Sequence, residues 1–357
     1  IEIFLCEVKN NIYGDDNFYL AFPNKFIANK FLYNKIKKNF FIVPRFFFEP
    51  IFYFFNNRKI YHKFGKKFVA DYRHWRKREK SNSTWQENDI HNLLPKFEPI
   101  IKFNDEEIEH INKKIEKIGL KHKKNYICFH HRTPTYYLKR KIINQPDYNL
   151  RDLRKENYGK VFDFYQKKKN YIICMGDRKK IPQNIKSNVF NYNSIEVNDD
   201  MLDIFLVFNC KYMVSDGSGI SNVAIMNRKK RIYINFVQLS YINISDSIYT
   251  PIITLKKFKS LKTNEYLPYS YVLKNKLSEI LYVKNLNRLG YDVEDNSEEE
   301  IYQACREMEF HFDGREERFD DDLQEKFNHI LSKNEIPRLK KTKISNFFLT
   351  KNKHFII

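Results

Sequence analysis

The stretch Ser215-Asp216-Gly217-Ser218-Gly219-Ile220-Ser221, behind the apolar run Cys210-Lys211-Tyr212-Met213-Val214, does most to limit how this chain can fold. The run is short and bounded, as a strand buried in a parallel sheet is. Ile220, Val223, Ala224 and Met226 recur at helical spacing, so the loop joins a strand to a helix. Two glycines give access to backbone conformations closed to other residues and let a ligand approach the main chain. The first-turn N–H groups and the positive dipole end of the helix suit a phosphate, and Ser218 and Ser221 add hydroxyls. A tight strand-to-helix turn with a serine cap fits the same residues.

The surroundings weigh on that choice. Tyr126–Phe129 reads as a strand ending in His130-His131-Arg132, Asn157–Lys167 as a helix, and Tyr171–Met175 as a strand ending in Gly176-Asp177. Val189–Tyr192 is a short strand, Met201–Phe208 a helix and Arg231–Phe236 a further strand. Alternating strands and helices imply α/β architecture, with a parallel sheet and right-handed crossovers. Ligands of such sheets bind beyond the carboxyl ends of the strands, where all three polar motifs fall. Arg132, just past a strand where a charge has little structural purpose, is placed to clamp phosphate with its guanidinium fork. Ser215, Gly217, Ser218, Gly219 and Ser221 would take the same phosphates, and Gly176 would let the chain pass under a nucleotide. Asp177 or Asp203 would bind its base or ribose. Each residue also has a plain structural reading: Arg132 in a surface ion pair, Gly176-Asp177 as a turn, Asp199 and Asp200 as N-terminal acids of the next helix.

Three segments are expected: an N-terminal domain over 1–119, an α/β domain over 120–290, and a helical acidic tail with a basic C-terminus over 291–357. In the first, Ile1–Val8 reads as a strand, Phe26–Lys38 as an amphipathic helix and Phe40–Val43 as a strand. Phe46–Phe55 is the most hydrophobic stretch there; it fits a buried core element, and its basic neighbours Arg58 and Lys59 also fit a helix on a membrane surface. Tyr72, Arg73, His74, Trp75 and Arg76 interleave bases with aromatics, as a solvated loop or a nucleic-acid or sugar platform does. Asp105–Ile118 has a cap at Asn104, acids in its first turn and an isoleucine stripe, which makes it a helix stopped at Gly119. In the tail, helices are expected over Ser297–Phe310 and Asp320–Leu331, packing on the basic body by charge, and Arg338–Ile357 is expected to be loosely held.

Composition narrows the partners. Lys and Arg number 64 against 44 Asp and Glu, a formal charge of +20, which favours polyanions such as nucleotide phosphates, anionic lipid or nucleic acid. Abundant Lys, Asn, Ile, Phe and Tyr points to AT-rich coding as a simpler source of much of this excess. The five cysteines stand far apart without metal-ligand spacing, as in a reducing cytoplasm. No run spans a bilayer and no signal peptide is visible, so a cytoplasmic protein is expected, with peripheral contact at the inner face of the membrane. The chain opens on Ile1 without an initiator Met, which is consistent with a truncated N-terminal domain.

Cys128-Phe129-His130-His131-Arg132, Tyr148…Arg151-Asp152…Tyr158, Ile172-Ile173-Cys174-Met175-Gly176-Asp177 and Asp203-Ile204-Phe205…Asn209-Cys210-Lys211-Tyr212…Ser215–Ser221 resemble a family of bacterial proteins assigned as glycosyltransferases of surface carbohydrate synthesis. The tail segment Ser297-Glu298-Glu299-Glu300-Ile301…Glu307-Met308 is similar as well. The C-terminal half also looks like the donor domain of GT-B enzymes, fucosyltransferase-like ones above all, which set an HxR motif and a Ser-rich loop on a nucleotide diphosphate. The resemblance covers about residues 88–335 and is closest in 126–236. Thr133-Pro134 stands where an acid is expected after the arginine, and Cys174 where the family carries Arg; both bear on proton transfer and charge at the donor site.

The resemblance implies a GT-B-like fold, with two Rossmann-like domains facing a cleft and a helical C-terminal tail. It implies transfer of a glycosyl group from a nucleotide-diphosphate sugar to a glycan or lipid-linked acceptor. Without a metal site, Arg132 and the amides of Gly217–Ser221 would stabilise the leaving diphosphate, and His130, Asp152 or Asp71 would deprotonate the acceptor. Neither a cofactor nor a metal is called for, although Asp199/Asp200 is an acidic pair able to hold a divalent ion. A nucleotide-sugar epimerase of GT-B type and a basic nucleic-acid-binding protein are the alternatives; the lack of RRM, KH or helix-turn-helix signatures counts against the second.

Overall fold

The computed structural model describes residues 2–14, 19–21, 27–55, 60, 89, 91–117, 125–132, 149–153, 158–176, 188–192, 199–239, 252–315, 320–334, 336, 339 and 342–356. Its strands are β1 (Leu20–Ala21), β2 (Phe41–Ile42), β3 (Tyr126–His130), β4 (Tyr171–Met175), β5 (Val189–Asn191), β6 (Tyr212–Ser215), β7 (Lys230–Phe236), β8 (Ile252–Leu255), β9 (Lys257–Ser260), β10 (Tyr291–Glu294) and β11 (Lys343–Ile344). Seven of them form one sheet in the order β11-β8-β7-β6-β3-β4-β5, with every neighbouring pair parallel. Read from the β5 edge and counted by appearance in the chain, that order is third, second, first, fourth, fifth, sixth, seventh. It is the order of a Rossmann-like sheet, which reverses direction between its first and fourth strands. Here these are β3 and β6.

Strand periodicity sorts the side chains into two layers. Ile127, Phe129, Tyr212 and Val214 face the helices Gly159–Lys167 and Glu298–Phe312, meeting Val161, Tyr165, Ile301, Cys305 and Met308. Cys128, Ile173 and Met213 face the opposite way, onto Leu202, Leu206 and Val207 of the helix Asp200–Asn209. Apolar residues on both faces explain why the strands read as continuous runs instead of alternating ones. All five cysteines are buried and free, acting as small hydrophobes.

The segment after 290 belongs to this same core. β10 pairs antiparallel with β9 across the boundary expected at 290, and β11 adds the edge strand beside β8. The helix Glu298–Phe312 starts on a capping box of Ser297 and Glu300, as its sequence predicts. Charge does join it to the body: Lys168 and Lys211 both reach Glu309, at 3.1 and 2.8 Å. Within the stretch expected to be loose, the described residues 342–356 are held fast, because Ile344, Phe348, Leu349, Phe355 and Ile356 are buried against Phe327 and Leu331. Basic residues at intervals in that stretch mask a buried apolar stripe between them.

Two expectations for the first hundred residues are overturned. Glu2–Lys9 is a helix and not a strand. Helical spacing brings Glu2 and Cys6 to one face, where Arg228 meets the Glu2 carboxylate at 2.8 Å and the Cys6 sulfur at 3.6 Å. The same guanidinium donates to the Leu94 and Phe97 carbonyls, tying this segment to the sheet domain. The second reversal concerns Arg45–Phe55, a helix with no buried residue, so the core reading of Phe46–Phe55 fails. Elsewhere the N-terminal part carries the helix Lys30–Ile36 between the parallel pair β1 and β2, a small βαβ unit. Asp105–Lys117 is the expected helix. Gly119 and the Tyr72–Arg76 cluster lie outside the described residues.

Candidate functional site

At the point where the strand order reverses, His130 of β3 stands in register with Ser215 of β6. The two chains leave the sheet side by side as His131-Arg132 and Asp216-Gly217. Asp216 joins them. One of its carboxylate oxygens accepts the Arg132 backbone amide, and the other lies 3.7 Å from His130 Nδ1. Burial alone would push this carboxyl up; the neighbouring His130 ring and the Arg132 amide hold it below the usual carboxylate range.

The Arg132 side chain turns to Asp152, with Nε 3.0 Å from Oδ1. Asp152 also accepts the Asn149 amide at 2.8 Å, and its backbone carbonyl takes the Lys256 ammonium at 2.7 Å. Lys256, itself fully buried, pairs with Asp295 at 2.6 Å. Burial pushes the Asp152 carboxyl above its ordinary value despite the Asn149 amide and Arg132. Burial and the neighbouring Arg151 guanidinium lower the pKa of Arg132, so two arginines share this edge. The site is layered: Asp152 and Asp216 keep 0% and 4% of their side chains exposed, whereas Arg132 and His130 keep 11% and 15%. The acids lie behind and the bases in front.

Ser218 Oγ meets His130 Nδ1 at 2.9 Å. Ser218, His130 and Asp216 do not form a proton relay of the hydrolase kind, because serine and aspartate address the same ring nitrogen. Nε2 is the nitrogen left for other chemistry. It lies over Gly176, where an added β-carbon would be 3.5 Å away.

The glycines have distinct reasons. Gly176 adopts φ +100°, and a β-carbon there would come within 2.5 Å of the His131 carbonyl oxygen, so the protein's own packing demands it. Gly217, at φ +75°, would press a β-carbon to 2.9 Å from the Phe236 ring. Gly219 is exposed, and a β-carbon on it meets nothing within 4 Å. The amides of Ser221, Asn222 and Val223 are bonded to the carbonyls of Ser218, Gly219 and Ile220. The helix Ser221–Met226 is six residues long, so the phosphate cradle expected at its first turn is closed there. Any backbone contact with an anion falls to the loop before it. Ser221 Oγ donates to the Ser218 carbonyl at 2.5 Å and shapes that loop. Ser215 is wholly buried beneath it.

Asp152, expected among the general bases, is sealed behind Arg132 and acts on it. Asp203 stands half-buried on the helix after β5, at the same sheet edge but off the two strands of the reversal. Asp199 is the N-cap of that helix and pairs with Lys114; the Asp200 carboxylate accepts the Lys30 amide at 2.6 Å. This pair fastens the N-terminal segment to the sheet domain. Among the described residues, no three His, Cys, Asp or Glu side chains converge as metal ligands. Asp177 and Asp71 lie outside the described residues.

Sequence reasoning missed Asp216 as an organiser, although an acid directly past a buried strand and before a glycine marked it. It also missed Lys256 and Asp295. The run Ile252-Ile253-Thr254-Leu255 before Lys256 was the available signal for a strand that carries a residue to this edge. Asn235, at φ +53°, exchanges backbone amide to side-chain bonds of 2.6 Å with Asn296, bracing β7 beside the site. No protein-family model, curated protein or solved structure matches this chain, so the geometry of the site itself carries the functional reading.

Proposed function

We propose that the protein is a glycosyltransferase that binds the diphosphate of a nucleotide sugar where β3 and β6 diverge. Its acceptor would be a growing cell-surface glycan or a lipid-linked precursor. The observation that carries this reading is the layered pair at the strand reversal: Arg132 and His130 partly exposed in front of buried Asp152 and Asp216. Ligands of doubly wound sheets settle in that crevice. A guanidinium fixed by a buried carboxylate enters the reaction already oriented, and it stabilises the charge growing on the departing diphosphate. The amides of the loop Gly217–Ile220 add donors on the β6 side. His130 is the best-placed general base, since Asp216 and Ser218 hold Nδ1 and orient the ring, leaving Nε2 for the acceptor hydroxyl. Asp152 and Asp216 are positioning residues. A GT-B arrangement, in which residues before 120 belong to a second Rossmann-like domain across a cleft, completes the proposal; the βαβ unit of β1 and β2 supports it.

Thermal shift against a panel of nucleoside diphosphates tests the donor site, because a ligand of the native state alone raises its stability. One base is expected to raise the melting temperature, and its sugar conjugates are then to be assayed for transfer to glycan acceptors. A panel that leaves the protein's melting unmoved would overturn the reading. Conversion of the donor without any acceptor would assign an epimerase instead.

A further inference from the structure

The helix Arg45–Phe55 has no buried residue and turns several large apolar side chains to solvent. Phe46, Phe47 and Phe54 are 83%, 66% and 59% exposed, and Phe41, Ile51 and Tyr53 are exposed beside them. Single exposed apolar residues are ordinary, but a run of them within fourteen positions, Phe41 to Phe54, marks an interaction surface. We propose that the face formed by Phe46, Phe47, Ile51, Tyr53 and Phe54, flanked by Lys37 and Lys38, docks on an anionic lipid surface.

Length, charge and symmetry select this occupant. Eleven helical residues extend about 16 Å, roughly half the hydrocarbon thickness of a bilayer, so the helix fits the interfacial plane and cannot span. Its one acid, Glu49, is neutralised by Arg45, whose Nε donates to it at 2.8 Å, so no bare carboxylate meets lipid phosphate. Lys37 and Lys38 are exposed just ahead of the apolar run. A second copy of the chain suits the face poorly. A twofold contact sets the same patch against itself, bringing these lysines together within a chain of formal charge +20. An anionic lipid surface satisfies the aromatic face and the lysines at once.

The test is co-sedimentation of the whole chain with phosphatidylcholine vesicles, and with vesicles in which about a third of the lipid is phosphatidylglycerol. Wild type is expected to partition onto the anionic vesicles and to leave them as salt is raised. The variant Phe46→Ser/Phe47→Ser/Phe54→Ser should bind roughly tenfold less or weaker still, from the apolar area lost. Its melting temperature should stay near that of wild type, because all three rings are exposed. Lys37→Glu/Lys38→Glu should abolish the preference for anionic lipid. Wild type that stays in the supernatant, or vesicle binding that the triple variant leaves unchanged, would overturn the proposal. A dimer in analytical ultracentrifugation that the triple variant dissolves, without vesicle binding, would assign the face to a second copy.

Discussion

Asp152 and Arg132 form an ion pair at 3.0 Å in which the acid is wholly buried and the guanidinium nearly so. The arginine therefore has a structural task, contrary to what its place past a strand implied. Lys256 and Asp295 extend the pair inward through the Asp152 carbonyl. Such a chain of buried charges contributes little net stability when intact, but removing one member leaves its partner buried and uncompensated.

Arg132→Met should consequently cost about 3–5 kcal/mol of stability by stranding Asp152. It should also lose affinity for the nucleoside diphosphate. The double variant Arg132→Met/Asp152→Asn should recover much of the stability and none of the affinity. Denaturant melts and calorimetric titration on the same preparations separate the two effects. A double variant that regains binding would remove Arg132 from the ligand.

Asp152 and Asp216 should respond to pH with opposite signs. Asp216 has a folded-state pKa below its unfolded one, so its contribution is present above the ordinary carboxylate range and is lost as pH falls through the lower, folded value. Asp152 has a raised folded-state pKa, so the folded state gains relative to the unfolded one as pH drops through that raised value toward the ordinary range. The gap in melting temperature between wild type and Asp216→Asn should narrow as pH is lowered. The gap for Asp152→Asn should widen over the window just above the ordinary carboxylate pKa. Parallel pH trends for the two variants would contradict this assignment.

The two loop glycines should divide stability from binding. Gly217→Val forces a branched side chain into the left-handed region against the Phe236 ring and should cost at least about 1–2 kcal/mol. Gly219→Val meets open space and should leave melting almost unchanged, while its bulk keeps the diphosphate from the loop amides. Differential scanning fluorimetry with and without nucleotide is the measurement. Full nucleotide affinity in Gly219→Val would move the site away from this loop.

Glycosyl transfer should continue in excess chelator. Asp199 and Asp200, the acidic pair most able to hold an ion beside a diphosphate, serve as a helix cap and as the anchor for Lys114 and Lys30. Arg132 and Arg151 provide positive charge at the edge instead. Activity abolished by EDTA and restored by Mg²⁺ or Mn²⁺ would show that a metal does this work.

The sequence by itself determined the alternation of strands and helices from Tyr126 to Phe236 and the polar motif at the end of each of three strands. It also determined the capped starts of Asp105–Lys117 and Glu298–Phe312. These features are written in short stretches: an apolar run, a glycine past a strand, a cap three residues from its glutamate. Tertiary structure alone decided that β3 and β6 are neighbours at the reversal, because strand pairing joins segments far apart in the chain. It also decided that Asp152 faces Arg132, that Asp216 binds both His130 and the Arg132 amide, and that Lys256 reaches the same edge from β8. Hydrophobicity could not distinguish Phe348 and Phe355, which are buried, from Phe46 and Phe47, which are exposed. An apolar side chain states that it gains by leaving water, and only the packing of the rest of the chain decides what covers it.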